Sequence, residues 1–452
     1  MQITLIIIVF LIMCVLMYTK KLNGLFALPI MALLIAVIAG IPWSDVTVDE
    51  VVTPGIQTLL FVNGPMRLAS TIITFIFGSI LSQLVKNSGI AETTVRKVSE
   101  LAGDRPMILS LAFYVVLSLL FTTLSGLGAV IMLGSIVLPI LTSVGITSLA
   151  AGCILLFSLS VGGIFNMANW SLYIDSMSIA QQTVRNFAWF AGAVFFIMGI
   201  LFIIIEVKFE GLSKLFKKSG RKPKIAWPVP TADKEAASAG ESSSPGYTSQ
   251  GKKVRWFALL TPLVPLVAVI GFNLNINTGF VLGILYGLLT TIGRGSLQKL
   301  TKAVTEGISN SAGAIFFLIG IGILLVVVMD SRVTNIIGPV MSAILPTSAI
   351  GFVVFFSILA PLALYRGPLN IWGLGLGLGS IMLATGKLGA TSIMAALMTT
   401  GQIQGICDPT NTHNVWTAAA TGTDVNDIMK KTLPYVWVGV IIGLIVAAVL
   451  YF

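Results

Sequence analysis

Residues 405–416 read GICDPTNTHNVW. The stretch lies within one of the most apolar parts of the chain. Yet Asp408, Pro409, Thr410, Asn411, Thr412, His413 and Asn414 run consecutively as polar or helix-breaking residues, and His413 is the only histidine in the protein. A helix broken at membrane depth leaves amides and carbonyls that lipid cannot satisfy, so the break survives only where protein or a watery cavity supplies partners. Pro409 removes one backbone donor and displaces the helix. The ends created by such a break can hold an anion at an N terminus and a cation at freed carbonyls.

The composition places this break in a membrane. The 452 residues are 56% hydrophobic and only 10% charged, with mean hydropathy +0.98, which excludes a soluble domain of this length. Runs such as FAWFAGAVFFIMGILFIII and YVWVGVIIGLIVAAVLYF match the roughly 20 residues a helix needs to cross about 30 Å of hydrocarbon. The first apolar run begins at residue 2 with no basic region before it, and reads as a retained span. The net charge of +10 sits mostly in loops, as the positive-inside rule produces in any inner-membrane protein, so nucleic acid is not an implied partner. Cys14, Cys153 and Cys407 show no paired spacing, which argues against a disulfide framework or zinc site.

One hydrophilic segment divides the chain: 1–207 is expected to form a first repeat, 208–254 a flexible cytoplasmic linker, and 255–452 a second repeat. The linker carries Lys208, Lys214, Lys217, Lys218, Arg221, Lys222 and Lys224, then AASAGESSSPGYTSQG, low in hydrophobicity and complexity. Lys20 and Lys21, then Lys86, Arg96, Lys97 and Arg105, then Arg294, Lys299 and Lys302, then Lys430 and Lys431 all fall on the linker's side if each half crosses the membrane about five times. An odd number of crossings inverts the second half, with both termini outside.

The halves resemble one another. LLFTTLSGLGAVIMLG (119–134) has a counterpart in LALYRGPLNIWGLGLG (362–377), with Ser125 and Gly126 against Arg366 and Gly367. GGIFNMANW (162–170) aligns with QGICDPTNTHNVW (404–416), placing Asn166 opposite Asp408 and Asn169 opposite Asn411. Inverted repeats are the architecture of many secondary transporters. The apolar stretch 106–145 is split by TTLSGLG and 348–388 by LYRGPLN, and arms of this length suit re-entrant hairpins better than full spans. Broken helices are expected at 147–182 and 390–422. The expected fold class is therefore all-α and polytopic, with two inverted repeats, each of about five transmembrane helices, a re-entrant hairpin and a broken helix.

Several residues stand out chemically. An intramembrane carboxylate is expensive, which makes Asp408 a candidate cation or proton site; Asp175 in SLYIDSMS is a second. Asn166 and Asn169 suit ligand contact, although a lone Asn in a membrane helix commonly joins helices. His413 is either a satisfied polar residue near the interface or a proton-coupling group. Arg366 has no acidic neighbour in sequence, and its planar fork suits a carboxylate; a shallower hairpin would instead let it snorkel to the interface. GLGLGLG after Trp372 lacks the strand and lysine of a nucleotide loop, so it reads as close helix packing.

The segment ILSQLVKNSGIAETTVRKVSELAGDRPMIL, a polar-tipped hairpin and an Asn-bearing broken helix recur after the linker as a second set ending in DPTNTHNVWTAAATGTDVNDIMKKTLPYVW. This layout resembles the ion transporter superfamily, and within it the citrate-transporter (CitMHS-like) branch. The resemblance implies an elevator-type carrier, often a homodimer, in which hairpin tips and helix breaks surround the substrate and coupling ions. It points to Thr122, Thr123, Ser125, Asn166 and Asn169 in the first half. In the second it points to Arg366, Asn370, Asp408, Thr410, Asn411, Thr412 and Asn414. The expected function is symport, with protons or sodium, of a small organic anion such as a di- or tricarboxylate or sugar acid across the cell membrane. The alternative is a cation antiporter using Asp408 and Asp175. No organic cofactor, nucleotide-binding motif or catalytic constellation is expected, since one histidine without a positioned nucleophile or metal partner does not make an enzyme.

Overall fold

A computed structural model of the chain describes residues 1–19, 21–48, 50–216, 254–292 and 296–452. The first half opens with α1 (Gln2–Tyr18) and α2 (Gly24–Ile38). A short antiparallel ribbon follows, β1 (Val46–Val48) on β2 (Val51–Thr53), a small departure from the all-α expectation. Then come α3 (Gly64–Arg67), α4 (Ala69–Asn87) and α5 (Ile90–Ala102). The expected hairpin is α6 (Pro106–Phe121) and α7 (Leu127–Ser143). The expected broken helix is α8 (Ser148–Ile164) and α9 (Met167–Met177), bent by 49°. Helix α10 (Gln181–Phe216) closes the half. It continues past residue 207, where the linker was expected to begin; the remainder of that linker, 217–253, lies outside the described residues.

The second half repeats the order. After helical turns at Trp256–Gly271 come α11 (Ile276–Thr290), α12 (Ser296–Val328) and α13 (Ser331–Ile344). The second hairpin is α14 (Ala349–Leu359), which tightens into a 3-10 segment Ala360–Arg366, and α15 (Gly375–Ala384). The second broken helix is α16 (Ala390–Cys407) and α17 (Thr412–Thr421), followed by α18 (Val425–Tyr451).

The chain is a multi-pass membrane protein. Five described helices are long and apolar enough to cross a bilayer, or six if α8–α9 counts as one span. That is fewer than five per half, because α1, α2, α6, α7, α11 and α15 are apolar but shorter. Helices α8 and α16 are buried around nearly their whole circumference, the pattern of a central helix. The outer helices α1, α10, α14 and α18 expose Leu, Ile, Val and Phe side chains, as a lipid-facing surface requires. The amphipathic helices α5 and α13 precede the hairpins at matching places and bury one face each, Ile90, Ala91 and Val95 in the first, Val333 and Ile337 in the second.

Packing is reciprocal between the halves. Helix α9 packs on α15 and α17 packs on α7, so the far part of each broken helix meets the return arm of the other half's hairpin. Helix α6 is pressed so closely on α8 that a Cβ at Gly162 would lie 2.5 Å from the Phe121 Cβ and 2.6 Å from the Ser118 carbonyl oxygen. Helices α2, α3, α4, α11 and α12 pack together, and the group meets α9 chiefly through α4 and α15 through α12.

Candidate functional site

The two broken helices cross one another. The Ser160 hydroxyl of α8 donates to the Gln402 side-chain oxygen of α16, and a Cβ on Gly405 would lie 3.0 Å from the same hydroxyl. Ser160 and Gln402 are separated by 242 residues, the spacing at which the two halves align. Both breaks start within roughly 10 Å of this crossing along their helices.

At the first break, Phe165 ends α8, and the extended Asn166 caps α9 by accepting from the Ala168 amide at 3.0 Å. Its Nδ2 donates to the Phe121 carbonyl at 3.2 Å, tying the break to the hairpin tip. Asn169 Nδ2 donates to the Gly163 carbonyl at 2.9 Å, and Trp170 Nε1 donates to the Ile164 carbonyl at 2.7 Å. Side chains thus satisfy the carbonyls freed by the bend, as a buried helix end requires.

At the second break, Asn411 caps α17 by accepting from the His413 amide, and its Nδ2 donates to the Gln404 carbonyl, both at 3.2 Å. Asn414 Nδ2 donates to the Asp408 carbonyl at 2.9 Å, while its buried Oδ1 has no partner among the described residues. These contacts correct the pairing read from sequence. In role, Asn166 matches Asn411 and Asn169 matches Asn414, both pairs 245 positions apart (411 less 166, 414 less 169). The second break holds three extra residues relative to the helices before it, and Asp408 takes the place of Gly163.

Asp408, 1% exposed, is engaged throughout. One oxygen accepts from the Tyr365 amide at 3.0 Å, the Thr410 amide at 2.8 Å and the Thr410 hydroxyl at 2.7 Å. The other accepts from the Arg366 amide and Asn370 Nδ2, each at 3.4 Å. Tyr365 and Arg366 both have positive φ, 55° and 57°. Successive amides turned this way form a concave anion site, and the protein fills it with its own carboxylate. Gly367 follows because a Cβ there would sit 2.2 Å from the Leu362 carbonyl oxygen. Asn370 completes the tip, donating to the Ala363 carbonyl at 3.2 Å and accepting from the Trp372 amide at 2.9 Å.

This geometry leaves the Arg366 guanidinium half-buried, with no ion pair or side-chain hydrogen bond among the described residues. Ser125 is exposed at the first tip. Thr122 and Thr123 are buried and donate to the Leu119 and Leu120 carbonyls at 2.7 and 3.3 Å, so their hydroxyls finish α6. Thr412 is exposed beside the break, and His413 is half-buried. Asp175 is elsewhere: at the far end of α9, it accepts from the Thr71 amide at 2.8 Å and hydroxyl at 2.6 Å. Sequence reasoning missed Ser160 and Gln402, although Gln402 and Gln404 are visible as polar residues in an apolar run.

Solved structures that share this fold include the following two. The YdaH transporter of Alcanivorax borkumensis superposes with a TM-score of 0.63 at 12% identity, covering 95% of this chain and 98% of that one. MtrF of Neisseria gonorrhoeae, from a class of antimetabolite efflux pumps, superposes with a TM-score of 0.60 at 14% identity, covering 95% and 94%. No protein-family model and no curated protein matches the chain in sequence. The expected place in the citrate-transporter branch of the ion transporter superfamily is corrected by these matches. Polar-tipped hairpins and Asn-bearing breaks, which carried that resemblance, follow from the need to satisfy backbone at membrane depth and do not identify a branch.

Proposed function

We propose that the chain is an ion-coupled secondary transporter of a small organic anion, built from two inverted repeats, with Arg366 recognising a carboxylate. The observation that carries this reading is the Arg366 guanidinium, half-buried and unpaired beside a helix break while Asp408 fixes the backbone beneath it. A buried-side cation without a partner is costly, and a ligand carboxylate relieves that cost with paired, charge-assisted hydrogen bonds. The transporters of matching fold support the class, and the Ser160–Gln402 crossing supports the inverted relation. Asp408 acts here as a positioning residue. Sodium or a proton would accompany the anion at polar groups of the breaks and tips such as Asn414 Oδ1, Asn169, Thr410 and Ser125. The antiporter reading is weaker, because Asp408 accepts from protein donors at both oxygens and Asp175 lies at the far end of α9, away from the breaks.

The test is uptake of radiolabelled mono-, di- and tricarboxylates into proteoliposomes under imposed sodium or proton gradients, in either direction. Substrate-dependent flux abolished by Arg366→Ala supports the assignment. Gradient dissipation indifferent to every organic anion supplied would overturn it.

A further inference from the structure

A second polar recess lies away from the breaks. Asp175 is roughly 13 Å along α9 from Asn166, by the helical rise per residue. There the ends of α3 and α9 enclose an open cleft of about 360 Å³, lined among others by Arg67, Ser70, Asp175 and Ser178. That volume is at the small end of ligand pockets and many times the roughly 30 Å³ share of one water.

The polar groups around the cleft have unused capacity. Arg67 spends one nitrogen on the Ser176 carbonyl, at 3.3 Å. Asp175 spends Oδ2 on Thr71, and Oδ1 takes no hydrogen bond. The Ser70 and Ser178 hydroxyls are exposed and unbonded among the described residues. Arg67 and Asp175 are both half-buried and share the cleft, yet they do not form an ion pair. Their helices are held by other contacts: the Thr71 hydroxyl also donates to the Ser171 carbonyl at 2.9 Å.

We propose that this cleft is a binding site for a small zwitterion, with its carboxylate on Arg67, its ammonium on Asp175 and the serine hydroxyls beside them. A simple anion would meet Asp175 and a simple cation would meet Arg67, each a like-charge contact that costs affinity. A ligand bearing both charges satisfies the two helices at once. The site stands independently of the Arg366 reading.

The test uses the purified full-length protein in nanodiscs and equilibrium binding of radiolabelled glycine, L-alanine and L-leucine, with acetate and methylammonium as competitors. Saturable binding of at least one amino acid is expected, with each monofunctional competitor at least tenfold weaker. Arg67→Gln should weaken it at least tenfold. So should Ser70→Trp, which fills the cleft and leaves the Thr71–Asp175 bonds intact, while Arg366→Gln should leave it within twofold. Melting temperature in the same nanodiscs verifies that each variant is folded. The proposal is overturned by absence of saturable binding for all three amino acids, by acetate competing as well as the amino acid, by insensitivity to both cleft variants, or by loss of binding in Arg366→Gln.

Discussion

Asn169 and Asn414 make the same hydrogen bond in the two halves of the molecule. Each amide reaches back six residues, Asn169 to the Gly163 carbonyl and Asn414 to the Asp408 carbonyl, and each bond is 2.9 Å long. The motif Asn-x-x-Asn thus does one job twice, capping the outgoing helix with its first member and closing the bend with its second.

Replacing either second asparagine should therefore open its break. Asn169→Ala and Asn414→Ala each leave a carbonyl without its partner, at a cost of about 1–3 kcal/mol, and each should lower the melting temperature and reduce anion flux at least tenfold. Wild-type flux with an unchanged melting curve in both variants would remove the bends from the mechanism.

Asp408→Asn tests what holds the second hairpin tip. The amide keeps the shape of the carboxylate but replaces one of its two acceptor oxygens with a donor, so it cannot accept both from Tyr365 and Thr410 on one side and from Arg366 on the other. A destabilisation of about 1–3 kcal/mol is expected, with flux lost even where Arg366 is intact. Arg366→Lys should be milder in stability and still poor in transport, since charge survives while the planar fork does not. Full flux in Arg366→Lys would show that charge alone suffices.

Gly162→Ala probes the contact between α6 and α8. The new methyl group meets Phe121 and the Ser118 carbonyl at distances that backbone cannot absorb without moving, and overpacking of this kind costs about 1–3 kcal/mol. Cross-linking efficiency between cysteines placed on α6 and α8 should fall with it. An unchanged cross-link and melting temperature would show that the hairpin sits loosely on the broken helix.

Acid should loosen the loop that joins the halves at one face. Arg332 donates from Nη2 to the Pro54 carbonyl at 2.8 Å and to Asp330 at 2.7 Å, and Asp330 caps α13. Burial pushes the Asp330 carboxyl up, but the side-chain and backbone hydrogen bonds from Arg332 outweigh it and hold the group below its ordinary value. A group depressed on folding contributes fully above its unfolded pKa, about 4 for Asp, and loses that contribution as pH falls through the lower folded value. Hydrogen-exchange protection in residues 42–48 and 50–55, taken against the intrinsic rate at each pH, should fall below about pH 4, and Asp330→Asn should show the low protection at neutral pH.

The ends of α6 and of the Ala349–Arg366 segment and the bend between α8 and α9 were legible because polar interruptions in an apolar run mark where a helix must end or bend. Their internal register was not. Asn166 aligns as readily with Asp408 as with Asn411 in a polar run, and only the capping geometry separates them. The partners of Asp408 were equally hidden: they are chiefly backbone amides of residues 365 and 366, and no side-chain pattern announces that two non-glycine residues turn left-handed. Thr122 and Thr123 looked like ligand groups, but hydroxyls at a helix end can bond carbonyls three residues back. Asp175 looked like part of the central site because its distance along α9 carries no mark in the sequence. The layout of breaks and tips suggested one branch of carriers and belongs by fold with others.

The left-handed turn at Tyr365 and Arg366 is held from outside the hairpin. Non-glycine residues in that region cost on the order of 1–3 kcal/mol each and persist only where their surroundings insist. Here the insistence comes largely from a single carboxylate on a different helix. Let Asp408 release the two amides and the turn can relax, swinging the guanidinium that follows it. The shape of the hairpin tip is thus set at the helix break, and whatever disturbs Asp408 is felt at Arg366.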